Sequence, residues 1–492
     1  MHIPKLNQNQ LLMAVGLLVA ILFYWFNPFH LEPNANKTVA IGVLMIAWWV
    51  TEALPMPVVA LLPLLLFPLF KVASIEETSK AYSNPVVFLF MGGFMIGLAI
   101  EKWNLHKRIA LLIVNRTGTS GNRIILGFII ATGFISMWLS NTATTMMMLP
   151  IALSVITVIK NHEQKGQNSM NFAISLMLVI AYASNLGGMA TLIGTPPNVA
   201  FAGFISKKYG YTIQFLDWML VCTPLVMVLL GLLYIVLTRW LYPSKITQSE
   251  HTHRFITTEL ELLGKLTGSE RRVLLVFGAT ALLWITKDLL NSLNWFKLDD
   301  NMIALAGAIS LFTIPASKTD GQPQGMLLHW KDTSKMAWGI LLLFGGGIAL
   351  ANTLEKAGVM SMIGNWLAGF GHLGGLTLIL VIVIVSIFLS ELMSNVAQVI
   401  VLAPVLAALA DALQLDPLLV GIPMTLAASA ASMLPMGTPP NAIAFSSGHV
   451  KMKDMMKAGL IMNMISIVLI TLFVWLLLPS LMHISNGESK VQ

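Results

Sequence analysis

Residues 136–150 read SMWLSNTATTMMMLP, and residues 390–404 read SELMSNVAQVIVLAP. Each stretch sets a Ser-Asn pair, Ser140-Asn141 or Ser394-Asn395, in the middle of an apolar run, followed by Thr142 in the first and Val396 in the second. The surrounding runs, 124–159 and 375–409, are too long for one simple crossing, because a helix needs only about 20 apolar residues to span a bilayer. Polar groups at membrane depth are tolerated only where they are buried in protein or line a cavity. One such pair could be glue between helices. Two related copies, each centred in an over-long run, point instead to the tips of two re-entrant hairpins that enter and leave on the same side.

The rest of the chain fits a lipid solvent. Of 492 residues, 56% are hydrophobic and 10% charged, against roughly 25% charged in soluble domains. Apolar segments recur near 11–28, 38–54, 57–70, 85–100, 171–203, 213–238, 272–293, 302–315, 336–354, 416–446 and 458–480. They predict an all-α polytopic membrane protein with about 11 transmembrane helices plus the two hairpins. The first apolar run continues through Trp25 in bulky residues without a small-residue cleavage site, so a retained helix is expected rather than a signal peptide. A net charge of +7 would suggest nucleic acid in a soluble chain. Here Lys and Arg occupy short loops between spans, which makes the charge topological and excludes a nucleic-acid partner. The lone Cys222 lies in an apolar run and is assigned to packing.

With the N-terminus in the cytoplasm and both hairpins re-entrant, the basic loops fall on the cytoplasmic side. The densest are 101–123 (Lys102, Lys107, Arg108, Arg116, Arg123) and 239–272 (Arg239, Lys245, Arg254, Lys265, Arg271, Arg272). This is the positive-inside pattern, and it puts the C-terminus outside. The chain also repeats itself. A shift of 254 residues carries FMGG at 90–93 onto FGGG at 344–347, Glu101-Lys102 onto Glu355-Lys356, Ser136 onto Ser390, Ser140-Asn141 onto Ser394-Asn395 and Pro150 onto Pro404. A shift of 243 then carries GTPPN at 194–198 onto GTPPN at 437–441. Loop 101–123 is basic whereas its equivalent 355–377 holds only Lys356, so the copies are expected to point opposite ways across the membrane. The expected division is N-terminal scaffold helices in 1–84, a first repeat in 85–240, a linker with scaffold helices in 241–335, a second repeat in 336–482 and a tail in 483–492.

GTPPN carries its own physical message. Two consecutive prolines remove two backbone donors and clash with the preceding turn, so no continuous helix passes. The preceding glycine permits unusual backbone angles. Each motif therefore predicts two half-helices around an unwound stretch, whose free carbonyls can hold a cation and whose following helix N-terminus faces an anion. The two tips and two breaks offer hydroxyls (Ser140, Thr195, Ser394, Thr438) and amides (Asn141, Asn395), with no Lys or Arg in any of the four motifs. A dianion stripped of water there without countercharge would be very costly. Sodium held by the same loops would cancel that charge and rigidify the tips.

These motifs resemble the divalent anion/sodium symporter family, which includes sodium-coupled dicarboxylate and citrate transporters. The resemblance covers nearly the whole chain and rests on WNLHKRIAL at 103–111, SNTATT at 140–145, SNV at 394–396, both TPPN motifs and FSSGHVKMKDMMKAG at 445–459. It implies a homodimer in the membrane, a plasma-membrane (bacterial inner-membrane) location, and a transport domain that moves by an elevator-type shift against a scaffold. It further implies one sodium site at Ser136, Ser140, Asn141 and the backbone of Gly194, and a second at Ser390, Asn395 and the backbone of Met393 and Gly437. The carboxylates would be held by Ser140, Asn141, Thr142, Thr195 and Pro196 with Ser394, Asn395, Val396, Thr438 and Pro439. Members often carry Ser-Asn-Thr in both hairpins, so Val396 loses one hydroxyl. Sulfate-carrying members usually lack TPPN in both places, which favours carboxylates such as succinate, fumarate, malate or citrate.

Glu391, three residues before Ser394, is open to two readings: proton or cation coupling, or a structural acceptor near the outer interface. The histidines form no metal cluster, and the 30 methionines are assigned to packing. An exchanger or a sulfate symporter of the same fold remains a rival. An intramembrane enzyme is excluded by the lack of HExxH, GxSxG or a carboxylate pair in the spans, and a channel is disfavoured by the paired, occluding motifs. Two or more sodium ions per cycle are expected. A tenfold gradient supplies about 1.4 kcal/mol per ion, and two ions with a dianion are electroneutral, giving about hundredfold accumulation.

Overall fold

The structure is a computed structural model and describes residues 8–118, 120–162, 167–246, 250–293, 297–317, 325–360, 362 and 375–481. The expected tail 483–492 and much of the 355–377 connection lie outside the described residues. Among the described residues the regular structure is helical, and ten helices are long and apolar enough to cross a bilayer.

The chain opens with α1 (Gln8–Phe26) and α2 (Pro33–Thr51), which pack on each other. The span expected at 57–70 is not one helix. It is broken into α3 (Met56–Val59) and α4 (Leu62–Leu69), because Pro63 starts a new first turn and leaves no continuous hydrogen-bond ladder behind it. Their 4 and 8 residues rise about 6 and 12 Å, short of a hydrocarbon core of about 30 Å. The short α5 (Ile75–Ser79), capped by Ser74, leads to α6 (Pro85–Lys102), which Asn84 caps through Val86 N with Pro85 in the first turn.

The basic loop 101–123 contains α7 (Leu105–Thr117), and the polar linker contains α13 (Glu250–Leu262). Both are amphipathic, so a scan for apolar runs passes over them. They pack together and their charges are paired. Lys107 meets Glu259 at 2.9 Å. Arg108 reaches both oxygens of the buried Glu270 at 2.9 Å and donates to the carbonyls of Leu263 and Gly264. Glu270 closes a capping box with Thr267 at the start of α14 (Gly268–Ser292). The buried pair Lys287–Asp300, 2.9 Å apart, joins α14 to α15 (Asp300–Thr313), and Asp300 also accepts from Phe215 N at the start of α12 (Phe215–Ile235).

The remaining elements come in two matching series. The first is α6, α8 (Gly121–Ser136), α9 (Asn141–His162), α10 (Gln167–Gly188), α11 (Pro196–Tyr209) and α12. The second is α16 (Trp338–Lys356), α17 (Gly375–Leu392), α18 (Asn395–Leu413), α19 (Pro417–Ala430), α20 (Pro439–Ser446) and α21 (Met452–Leu481). Helix α10 is buried continuously from Phe172 to Gly188 and α19 from Leu418 to Ala430, so these two rods, enclosed on every side, make the centre. Helix α8 runs parallel to α10, with Gly121 beside Phe172 and Gly133 against Gly187. At Gly187 a side chain would overlap the main chain of Gly133, so the two backbones touch directly. Helix α9 returns antiparallel, its first turn at Asn141 lying beside Ser184.

Candidate functional site

Both over-long apolar runs fold back on themselves at the Ser-Asn pairs. Helix α8 ends at Ser136 and α9 begins at Asn141, while α17 ends at Leu392 and α18 begins at Asn395. In the second hairpin Gln398 on the returning arm donates to Ser386 O on the first arm at 2.9 Å, which fixes the antiparallel pairing. Both GTPPN motifs break their helices as the prolines require. Thr195 and Thr438 take extended backbone angles as the N-caps of α11 and α20, with the prolines in the first turn. In each unwound stretch the motif's asparagine holds a carbonyl. Asn198 Nδ2 donates to Thr191 O at 2.8 Å, and Asn441 Nδ2 donates to Leu434 O at 3.1 Å.

The first break gathers oxygens. Ser136 Oγ, fully buried, donates to Ser184 O at 2.7 Å. The Asn141 amide nitrogen donates to Ser136 Oγ (2.8 Å), Ser184 O (3.1 Å) and Gly194 O (3.3 Å). Half a turn of that amide would replace the nitrogen with its oxygen and leave a hydroxyl, an amide oxygen and two main-chain carbonyls converging in a buried space, a donor set suited to a hard cation. Gly188 lines this space, and a Cβ there would collide with Asn141 Oδ1. Ser140 stands beside it, its Oγ accepting from Ala143 N at 3.3 Å. Thr142 and Pro196 are half-buried at the rim.

The second break is built differently. Ser390 Oγ donates to Ala428 O at 2.6 Å, matching the Ser136–Ser184 contact. The Asn395 side chain, however, is half-buried and makes no hydrogen bond among the described residues, so no such bond ties it to Ser390, Gly437 or Thr438. Val396 is buried, whereas Met393 and Ser394 are half-buried and Pro439 is exposed. Leu392 and Met436 are each 68% exposed, so this tip is open where the first is packed. At the first tip Trp138 lies edge-on to Phe277 of α14, with ring centroids 4.8 Å apart, and Leu139 fills the space over Gly97 of α6.

Glu391 replaces the missing contacts. Its carboxylate, 3% exposed, accepts from Ser432 N (2.8 Å), Met433 N (2.7 Å), Leu434 N (2.8 Å) and Asn463 Nδ2 (2.7 Å). These four bonds make Glu391 an acceptor buried within the protein. Every donor is neutral, and the carboxyl group lies next to Gly437.

A family whose description reads "Sodium:sulfate symporter transmembrane region" matches residues 6–483. The chain belongs to this family. It is 39% identical over 474 residues, covering 95% of this chain and 91% of the other, to the protein of Staphylococcus saprophyticus named sodium-dependent dicarboxylate transporter SdcS. The protein of the same name from Staphylococcus aureus (strain USA300) is 38% identical over 478 residues, with 96% and 91% covered. The family and both relatives are transporters, and this symporter-family chain is a multi-pass membrane transporter rather than an enzyme.

Within this symporter-family chain the sequence reading missed one pair of residues. Ser184-Asn185, a third Ser-Asn, lies near the end of α10. Ser184 contributes its carbonyl to the first oxygen cluster, and its hydroxyl meets Thr145 Oγ1 at 2.8 Å. Asn185 Nδ2 donates to Thr438 Oγ1 at 2.9 Å and to Asn441 Oδ1 at 3.2 Å, in the other repeat. The signal was present as SNLGG at 184–188, two polar residues in an apolar run ahead of a break. It lacks an Asn counterpart in the second repeat, where the carbonyl matching Ser184 O is that of Ala428 and the next residue is Ser429.

Proposed function

We propose that this transporter is a sodium-coupled symporter of dicarboxylates such as succinate, fumarate and malate, with citrate as a larger candidate. The observation that carries the reading is the buried convergence of Ser136 Oγ, the Asn141 amide, Ser184 O and Gly194 O without a basic side chain. An uncharged oxygen cluster of this kind attracts a cation, and the cation supplies the positive charge that a dianion requires at depth. The carboxyl oxygen of Glu391 beside Gly437 supports a second cation at Ser390, Met393, Asn395 and Gly437. The carboxylates then lie between the tips, on Ser140, Asn141, Thr142, Thr195 and Pro196 from one repeat and Ser394, Asn395, Val396, Thr438 and Pro439 from the other. The names of the two relatives support sodium and a dicarboxylate over sulfate.

In this reading two or more sodium ions move with each anion. The two repeats are inverted in a bacterial inner membrane, with the N-terminus in the cytoplasm and the C-terminus outside. The hairpins and broken helices of 85–240 and 336–482 form the moving part, and the helices of 1–84 and 241–335 form the scaffold of a homodimer. The test is uptake of radiolabelled succinate into liposomes with sodium or choline outside and no anion preloaded. Sodium-driven uptake is expected, and it should vanish in Asn141→Ala and Asn395→Ala while both variants remain folded in the membrane. Equal uptake in choline, or wild-type rates in either variant, would overturn the assignment.

A further inference from the structure

We propose that Asn185 is the positioning residue that ties cation occupancy at the first break to the anion-binding hydroxyl of Thr438 at the second, a role that rests on the symport reading above. Asn185 is 1% exposed, and its side chain crosses from α10 to the other repeat, with Nδ2 at 2.9 Å from Thr438 Oγ1 and 3.2 Å from Asn441 Oδ1. Thr438 Oγ1 also accepts from Asn441 N at 3.4 Å. A hydroxyl has two acceptor lone pairs and one hydrogen. With both lone pairs engaged, Thr438 keeps only its O–H, and Asn185 thereby turns it into a donor aimed at an anion.

The other end of the link is one peptide unit away. The Ser184 carbonyl belongs to the first oxygen cluster, and that oxygen shares its peptide plane with the nitrogen of Asn185. A cation that draws the Ser184 oxygen therefore turns the plane from which Asn185 springs. Asn185 Oδ1 is buried without a hydrogen-bond partner among the described residues, so nothing on that side anchors the amide against the movement. At the second break the carbonyl matching Ser184 O is that of Ala428, and the next residue is Ser429, whose hydroxyl finds no partner among the described residues and makes no such bridge. Sodium at the first break would thus prepare Thr438.

The experiment measures succinate affinity of the purified protein at low and high sodium, with choline balancing ionic strength, alongside the shift in unfolding midpoint caused by sodium alone. The wild type is expected to show a ratio of affinities within the usual range for coupled sites, about 5- to 150-fold. In Asn185→Ala that ratio should fall to about twofold or less, while sodium alone still raises the unfolding midpoint as in the wild type. Asn185→Asp preserves the shape but cannot donate to Thr438, and it should lose the ratio equally, which keeps the test open if the alanine variant does not fold. A preserved ratio in either variant overturns the proposal. So does loss of the sodium-induced shift together with the ratio, because Asn185 would then only support the fold. Absence of any sodium effect on succinate affinity in the wild type overturns the symport reading itself, and the link with it.

Discussion

Replacing Glu391 with glutamine separates a structural carboxylate from a proton carrier. Three of its four hydrogen bonds end on Oε1, from Ser432 N, Met433 N and Asn463 Nδ2, and one ends on Oε2, from Leu434 N. Glutamine keeps an oxygen for the first three but sets an NH2 against Leu434 N–H. Bonds to a charged acceptor contribute about 1.5–3 kcal/mol each and neutral ones about 0.5–1.5 kcal/mol, while a stranded buried donor costs about 1–3 kcal/mol. Three weakened bonds and one donor facing a donor sum to more than 4 kcal/mol, and partial relaxation of the loop brings the expected loss to about 3 kcal/mol. Domains of 150–250 residues move about 2–4 °C per kcal/mol, and a chain twice as long about half that, so the unfolding midpoint should fall by about 3–6 °C. Thermal unfolding in detergent, followed by intrinsic fluorescence, measures it. The freed stretch leads into Thr438, so the KM for succinate should rise as well. A glutamine variant that unfolds with the wild type yet loses the pH dependence of uptake would refute the reasoning and make Glu391 a proton carrier.

Two other substitutions test the frame around the site. Gly188→Ala pushes a methyl group into Asn141 Oδ1, and it is expected to insert normally while losing the stabilisation by sodium over choline seen in thermal unfolding. Arg108→Ala leaves Glu270, 3% exposed, without its bidentate partner. Breaking a buried pair costs about 3–5 kcal/mol, so a lowered midpoint is expected, with Arg108→Lys falling between because an ammonium cannot span both oxygens; a double-mutant cycle with Glu270→Gln measures the coupling.

How much the residues disclose depends on whether a local rule governs them. Pro196-Pro197 and Pro439-Pro440 forbid helix, and the breaks lie where they stand. Ser140-Asn141 and Ser394-Asn395 interrupt apolar runs, and the chain reverses there. The span at 57–70 failed because hydropathy averages over Pro63, whereas the hydrogen-bond ladder does not. Helices α7 and α13 passed unseen because their apolar residues are spaced for one face rather than grouped in a run. Glu391 was legible as a buried charge but not as an acceptor for three successive amides, since its partners lie 41 to 43 positions downstream. Asn185 went unnoticed because its meaning lies 253 residues away, at Thr438. No pattern within one copy of the repeat contains that contact.

The meeting of Gly133 with Gly187 bears on which ion can be accommodated. Ser136 and Ser184 hang from two main chains that already touch, so the Ser184 carbonyl and the root of the Ser136 side chain cannot draw apart or together unless the helices do. That spacing is cast when α8 and α10 lock together, and only the Ser136 hydroxyl and the Asn141 amide are left to adjust. Discrimination among lithium, sodium and potassium by radius would then rest on the backbone as much as on those two side chains.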